Sequence, residues 1–212
     1  MTDLIVYLKA PIPGQVKTRL QSRYTPQEAA DLYRAFIQDT FEAASESGAD
    51  RLIACYDGDQ DHVRQLTPSG WLIVEQVGSD LGDRMLTSLR DSFTAGADKV
   101  VLIGTDLPSL SASPIRDAIT ALDDSDIAIG PTTDGGFYLI GASTSPPDIF
   151  TGVAWSTETV YEQTRSRIHS LDLVLASVSV WNDVDTPEDL DTVLTEPAEM
   201  PHTRAAVARL TR

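Results

Sequence analysis

The chain has 212 residues, 42% of them hydrophobic, which fits one domain with a sizeable core. Its 32 acids against 16 lysines and arginines give a formal net charge of −16, the wrong sign for non-specific nucleic-acid binding. No run approaches the roughly 18 apolar residues of a membrane span and the N-terminus lacks a signal-peptide pattern, so a cytoplasmic location is expected; the single Cys55 excludes an internal disulfide and a cysteine-based zinc site.

The elements alternate between strand and helix. LIVYLK (4–9) is a buried-strand pattern. Thr25, Pro26 and Glu28 then supply an N-cap, a proline in the first turn and a capping box for a helix running to Gly48. RLIACY (51–56) and WLIVEQ (71–76) are the next strands, and a helix is expected over 82–95. VVLIGTD (100–106) is a fourth strand with an acid at its end, followed by a helix from Ser113-Pro114 to Leu122. IAIGPT (127–132) and FYLIGA (137–142) are strands joined through Asp134-Gly135-Gly136. Ser156 or Thr157 caps a helix to about His169, 173–181 is a last strand, and Thr186-Pro187-Glu188-Asp189 caps the final helix. Residues 1–196 are expected to form a single domain, and 197–212 a polar, loosely packed tail. Such alternation predicts βαβ units in a mostly parallel sheet with helices on both faces. If the core order is 3-2-1-4, the strand order reverses between strands one and four, and ligands of such sheets bind at that crevice.

Charge is unevenly distributed. Residues 4–27 hold no acid and four cations, Lys9, Lys17, Arg19 and Arg23, although the whole chain has only three lysines. The loop APIPGQVKTRL lies in that window. It is neither a Walker A loop nor a dinucleotide fingerprint, but Gly14 permits close backbone approach and Lys17 and Arg19 carry charge, which suits phosphate. It could equally be a solvated loop balancing nearby acids. The many aspartates and few lysines spread along the chain also suit a halophilic protein, because salt screens self-repulsion. On that reading the melting temperature rises between dilute and molar KCl; an unchanged or falling value contradicts it.

Several acids sit where chemistry would need them. Asp106, in GTDLP, ends an apolar strand and is a metal ligand or the head of a turn before Pro108. Asp183 and Asp185, in WNDVDTP, share a face if extended and supply a second metal carboxylate or cap a helix. In QVGSDLGDR, Gln76 offers a donor and an acceptor to a base edge while Gly82 lets a flat ring pass; a plain loop before a helix explains the pattern too. GPTTDGGFY forms a tight hairpin or a wall facing a sugar or acceptor, with Asp134 as general base.

Together LKAPIPGQVKTRL, QVGSDLGDRM, GTDLP, GPTTDGGFYLIG, WST and NDVDTPEDL, covering about residues 3–195, resemble the rSAM/selenodomain-associated transferase 1 family of glycosyltransferase-A-like proteins, in the nucleotide-diphospho-sugar transferase superfamily. The resemblance implies an α/β fold with a Rossmann-like sheet of GT-A type. It implies nucleotide binding by Gly14, Lys17, Arg19, Gln76 and Gly82, and Mg²⁺ or Mn²⁺ on Asp106 with Asp185 or Asp183. Asp134, Gly135, Gly136 and Trp155 would meet the sugar or acceptor, and Asp106, Asp134 and Lys17 would be catalytic. GTD stands where many GT-A enzymes carry a DxD triplet, so the metal must rely on Asp106 and the distant Asp183/Asp185 pair. The expected activity is metal-dependent glycosyl transfer from a nucleotide-diphospho-sugar to a small-molecule acceptor. The alternatives are nucleotidyl transfer from a triphosphate to a phosphorylated small molecule, and a non-catalytic nucleotide-sugar sensor. The two acid loops must converge if a metal is to be held.

Overall fold

A computed structural model describes residues 1–210. Seven strands form one mixed sheet: β1 (Thr2–Lys9), β2 (Arg51–Asp57), β3 (Leu72–Glu75), β4 (Lys99–Ile103), β5 (Ile127–Pro131), β6 (Phe137–Ala142) and β7 (Leu175–Ser177). Their order is β3-β2-β1-β4-β6-β5-β7, which contains the expected 3-2-1-4 core. β6 runs antiparallel to β4 and β5, and the other pairings are parallel. β1 shows why the sheet is covered on both sides. Leu4, Val6 and Leu8 enter one core and Ile5 and Tyr7 the other, the period-two alternation of a strand with two buried faces.

The helices divide between those faces. α1 (Pro26–Ser45) places Leu32, Phe36 and Ile37 in the first core, with α4 (Ala112–Ala121), α6 (Pro187–Thr195) and the short α2 (Gln60–Leu66). α3 (Leu81–Thr94) and α5 (Val160–Ser170) cover the other face through Met85, Leu86, Leu89 and Ile168. The expected capping box is present, with Glu28 N–H donating to Thr25 and Thr25 N–H to Glu28, and the expected Thr186 cap is itself such a box with Asp189. Asp3, fully buried at the start of β1, is held by a bidentate pair from Arg51 Nε at 2.8 Å and a terminal guanidinium nitrogen at 2.5 Å.

Four local expectations are corrected. The strand expected over 173–181 is a regular strand only at 175–177; beyond it the chain still follows β5, but β5 is irregular at Gly130/Pro131, leaving single bonds at Val178 and Trp181. The helix expected from Ser156 or Thr157 starts at Val160, because Thr157 Oγ1 bonds to Ala154 O and Thr159 instead of capping. The cationic loop contains a 3-10 turn, Thr18–Ser22. The expected tail contains α7 (Pro201–Leu210), which packs on α1. Asp39 of α1, almost wholly buried, accepts the backbone N–H groups of His202 and Thr203 at 3.0 and 2.9 Å and so caps a helix more than 160 residues away. No helix among the described residues is long and apolar enough to cross a membrane.

Candidate functional site

The C-terminal ends of β1, β2 and β4 open into a cleft of about 980 Å³. Its lining combines Lys9, Lys17, Arg19 and Arg84 with Asp106, Asp134, Asp183 and Asp185. The crevice is the switch point of the sheet, since β1 leads on one side to β2 and on the other to β4.

The acid loops converge. Val184 N–H donates to the Asp106 carbonyl at 2.8 Å, tying the segment before α6 to the end of β4. Trp181 Nε1 donates to Ser109 Oγ at 3.0 Å and pins the same two segments further out. Between the carboxylates lies Lys17. Its ammonium is 2.7 Å from Asp106 Oδ1, 3.0 Å from Asp185 Oδ1 and 2.8 Å from the Val184 carbonyl oxygen. The side chain is 5% exposed, and its nitrogen sits 5.8 Å from the centre of the Phe36 ring. Burial works against the charge, but the Asp106 and Asp185 carboxylates outweigh it and hold the Lys17 pKa above the usual lysine value.

That placement corrects the expected phosphate contact of Lys17. An ammonium has three protons, and three protein oxygens take them. The open cationic groups of the loop are Arg19, 74% exposed with one nitrogen 3.1 Å from Asp185, and Lys9, which has no ion pair among the described residues. Lys17 also has a left-handed backbone, φ 45° and ψ 45°. It precedes the 3-10 turn, whose first N–H groups have no partner within that turn.

Asp183 has the opposite problem. Its Oδ1 is buried without a hydrogen-bond partner. Burial first, then the negative charges of Asp106 and Asp134, push its pKa up to about 7, with Lys17 offsetting part of the shift. Asp185, by contrast, is engaged by Lys17 and Arg19. An orphaned carboxyl oxygen beside further carboxylates fits a hard divalent cation, which takes oxygen ligands. Asp134 faces the same patch; its Oδ1 accepts Thr132 Oγ1 at 2.5 Å and Gly136 N–H at 3.0 Å.

Other expected contacts land differently. The Gln76 amide donates to the carbonyls of Leu8 and Cys55 at 3.3 and 3.1 Å, and its oxygen faces Arg84 at 3.4 Å, so it joins strand ends instead of offering a free edge. Gly82 does not line the cleft: a Cβ there would come within 2.6 Å of the Trp155 ring and 2.9 Å of Phe150, so its bareness serves side-chain packing. Gly14, at φ 81°, turns the loop in open space outside the cleft lining. Gly135 packs against the Glu158 backbone, while Gly136 reaches the cleft. Trp155 lines the cleft and packs at 6.3 Å from Phe137 and 5.7 Å from Phe150, ring centre to ring centre. Arg84, paired with Asp57 at 3.1 Å, also faces the cleft, and so does Ser156 with φ 63°. Arg84 stands in a quoted motif, but charge alone did not separate it from a surface arginine. Among the described residues, the one set of three acids or histidines whose ligand atoms lie within 4.8 Å of one another is not in the cleft: it is Asp39, Glu42 and His202, at the α1–α7 contact, where His202 Nε2 is 2.8 Å from Glu42.

The family model described as an uncharacterized protein conserved in bacteria, DUF2064, matches residues 38–157. A crystal structure from Desulfovibrio desulfuricans G20, provisionally named a nucleotide-diphospho-sugar transferase, is 34% identical over 98% of this chain and 94% of its own, with a TM-score of 0.90. The chain belongs to the DUF2064 family. Two more distant structures share the fold of this DUF2064 protein: a nucleotidyl transferase from Methanothermobacter thermautotrophicus (16% identity, 91% and 95% coverage, TM-score 0.63) and the inositol-1-phosphate CTP transferase of T. maritima (12%, 97% and 96%, 0.58). No curated protein matches the sequence.

Proposed function

We propose that this DUF2064 protein is a metal-dependent transferase acting on a nucleotide-diphospho-sugar, with Asp106 and Asp183 as the metal's carboxylates. The observation that carries the reading is the orphaned, buried Asp183 oxygen in a carboxylate patch at the switch point of the sheet, opposite a cationic loop. The family likeness to a protein provisionally named a nucleotide-diphospho-sugar transferase supports the donor class. A divalent ion there, Mg²⁺ or Mn²⁺, would supply Lewis-acid stabilisation of charge on phosphate oxygens.

The protein's own residues then divide the remaining work. Arg19, Lys9 and the first N–H groups of the 3-10 turn receive the diphosphate. Lys17 holds the two acid loops in register from below and positions Asp106. Asp134 keeps Oδ2 for an acceptor hydroxyl while Thr132 and Gly136 fix its Oδ1, the arrangement a general base needs. Trp155 and Phe137 form an apolar wall for the sugar or acceptor. Cations fixed before the reaction favour the growing charge of the leaving diphosphate without reorganising.

A second reading, nucleotidyl transfer, draws on the cations: Lys9, Arg19 and Arg84 line the cleft together and suit the higher negative charge of a triphosphate. Product analysis decides between them. With Mn²⁺ in high salt, nucleotide sugars and a panel of hydroxyl acceptors, release of nucleoside diphosphate is expected. Pyrophosphate release from triphosphates with phosphorylated acceptors would replace the first reading by the second. Neither product, together with no thermal stabilisation by any nucleotide, would remove both.

A further inference from the structure

We propose that Asp39, Glu42 and His202 form a site for one zinc ion, outside the cleft, that fastens the C-terminal helix to α1. The inference is independent of the metal assigned to the cleft, since none of the three residues lines it.

The ligands come from two helices. Asp39 and Glu42 lie one turn apart on α1 and share a face, and the first turn of α7 brings His202 to that face. One atom from each residue falls within 4.8 Å of the other two. Zinc bonds of about 2.0–2.2 Å place tetrahedral neighbours about 3.4 Å apart. Glu42 and His202, with side chains 56% and 35% exposed, have room to adjust that far, while Asp39 is fixed by the two N–H groups it caps. Those caps use one lone pair on each Asp39 oxygen and leave the others. An imidazole beside two carboxylates is a mixed nitrogen and oxygen set, which suits Zn²⁺; magnesium and calcium take oxygens.

Two further observations call for a cation at this place. Among the described residues neither carboxylate pairs with a lysine or an arginine: Glu42 has His202 as its charged partner, and Asp39 has no ion pair. With a neutral imidazole, two negative charges are then offset only by the positive end of α7. Asp39 is almost wholly buried, and that burial raises its pKa. The second observation is Thr203, a wholly buried residue next to His202. Its hydroxyl lies beside the Asp39 carboxylate, yet Oγ1 meets no partner at hydrogen-bonding geometry. Three protein ligands leave zinc a fourth position for water, and a water there would give that hydroxyl its missing partner.

The test uses the full-length protein, freed of metal with EDTA and titrated with Zn²⁺ alone. Asp183→Asn removes a ligand proposed for the cleft, so calorimetry on that variant reads the helix site by itself. One Zn²⁺ per chain is expected there, with the affinity lowered at least about 10-fold on adding His202→Ala or Glu42→Gln. Zn²⁺ at 100 times its Kd should raise the Tm of Asp183→Asn by about 5–10 °C, and by far less once His202 is replaced. No Zn²⁺ binding by folded Asp183→Asn overturns the proposal. So does binding that either added substitution leaves unchanged, which marks adventitious surface sites. Circular dichroism checks that each variant folds; should one unfold, the other carries the same test.

Discussion

Asp183→Asn will melt at a higher temperature than the native protein in metal-free buffer at pH 8, and Mn²⁺ will add little further stabilisation. The native carboxyl has a pKa near 7, raised by burial and by Asp106 and Asp134. In the unfolded chain it has its ordinary value near 4. Between those values the folded state binds more protons than the unfolded state, so stability falls as pH rises from about 4 to 7, and the whole deficit is present above 7. Three pKa units correspond to about 4 kcal/mol; solvent screening of a part-exposed patch reduces this to about 2 kcal/mol. In a protein of this size that is about 4–8 °C. The amide also removes the anionic ligand on which the metal depends. Thermal scans at pH 5 and pH 8, with EDTA and with Mn²⁺, separate the effects: the metal-free gain should be large at pH 8 and small at pH 5. A variant less stable than the native chain at pH 8 without metal would refute the account of Asp183.

Gly135→Ala will destabilise the protein by about 3 kcal/mol or more, with Gly14→Ala as the control at about 1 kcal/mol. Both glycines have similar left-handed backbones, φ 89° and 81°. They differ in what surrounds them. A Cβ at Gly135 would stand 1.9 Å from the Glu158 carbonyl oxygen, a backbone atom, whereas at Gly14 nothing lies within 4 Å. The difference between the variants therefore isolates the close approach from the conformational cost. Gly135 O also accepts Tyr161 N–H at 2.8 Å, so a displaced turn would shift the start of α5 and carry Asp134 away from Asp183. Urea titration of both variants measures this; equal costs would show that the turn relaxes freely.

The layered sheet was legible because both of its signals are local. β1 is a short apolar run, and the Thr25–Glu28 capping box marks a helix start without help from elsewhere. The nearness of the cationic loop to Asp106 followed from the expected strand order, but the convergence of Asp106 with Asp183 and Asp185 did not, because the chain before Asp183 leaves β7 at the far edge of the sheet. The partner of Lys17 did not follow. A cation after strand one reads as a phosphate ligand until the chain 168 residues later is seen to occupy its protons. Long separation in sequence also hid the purpose of Gly82, which depends on Trp155, and the cap that Asp39 places on α7. α2 escaped because seven residues carry too little periodicity.

The Asp39 cap also has a consequence in time. Asp39 belongs to α1, while its two N–H partners leave the ribosome 163 and 164 residues later. At about 5–20 residues per second, roughly 10–30 s separate them. During that interval α1 can cover β1, but it does so with a carboxylate facing a gap where α7 will lie. Closing that side of the molecule therefore waits until α7 has been made, and a nascent chain held short of α7 exposes a charged notch in an otherwise finished layer.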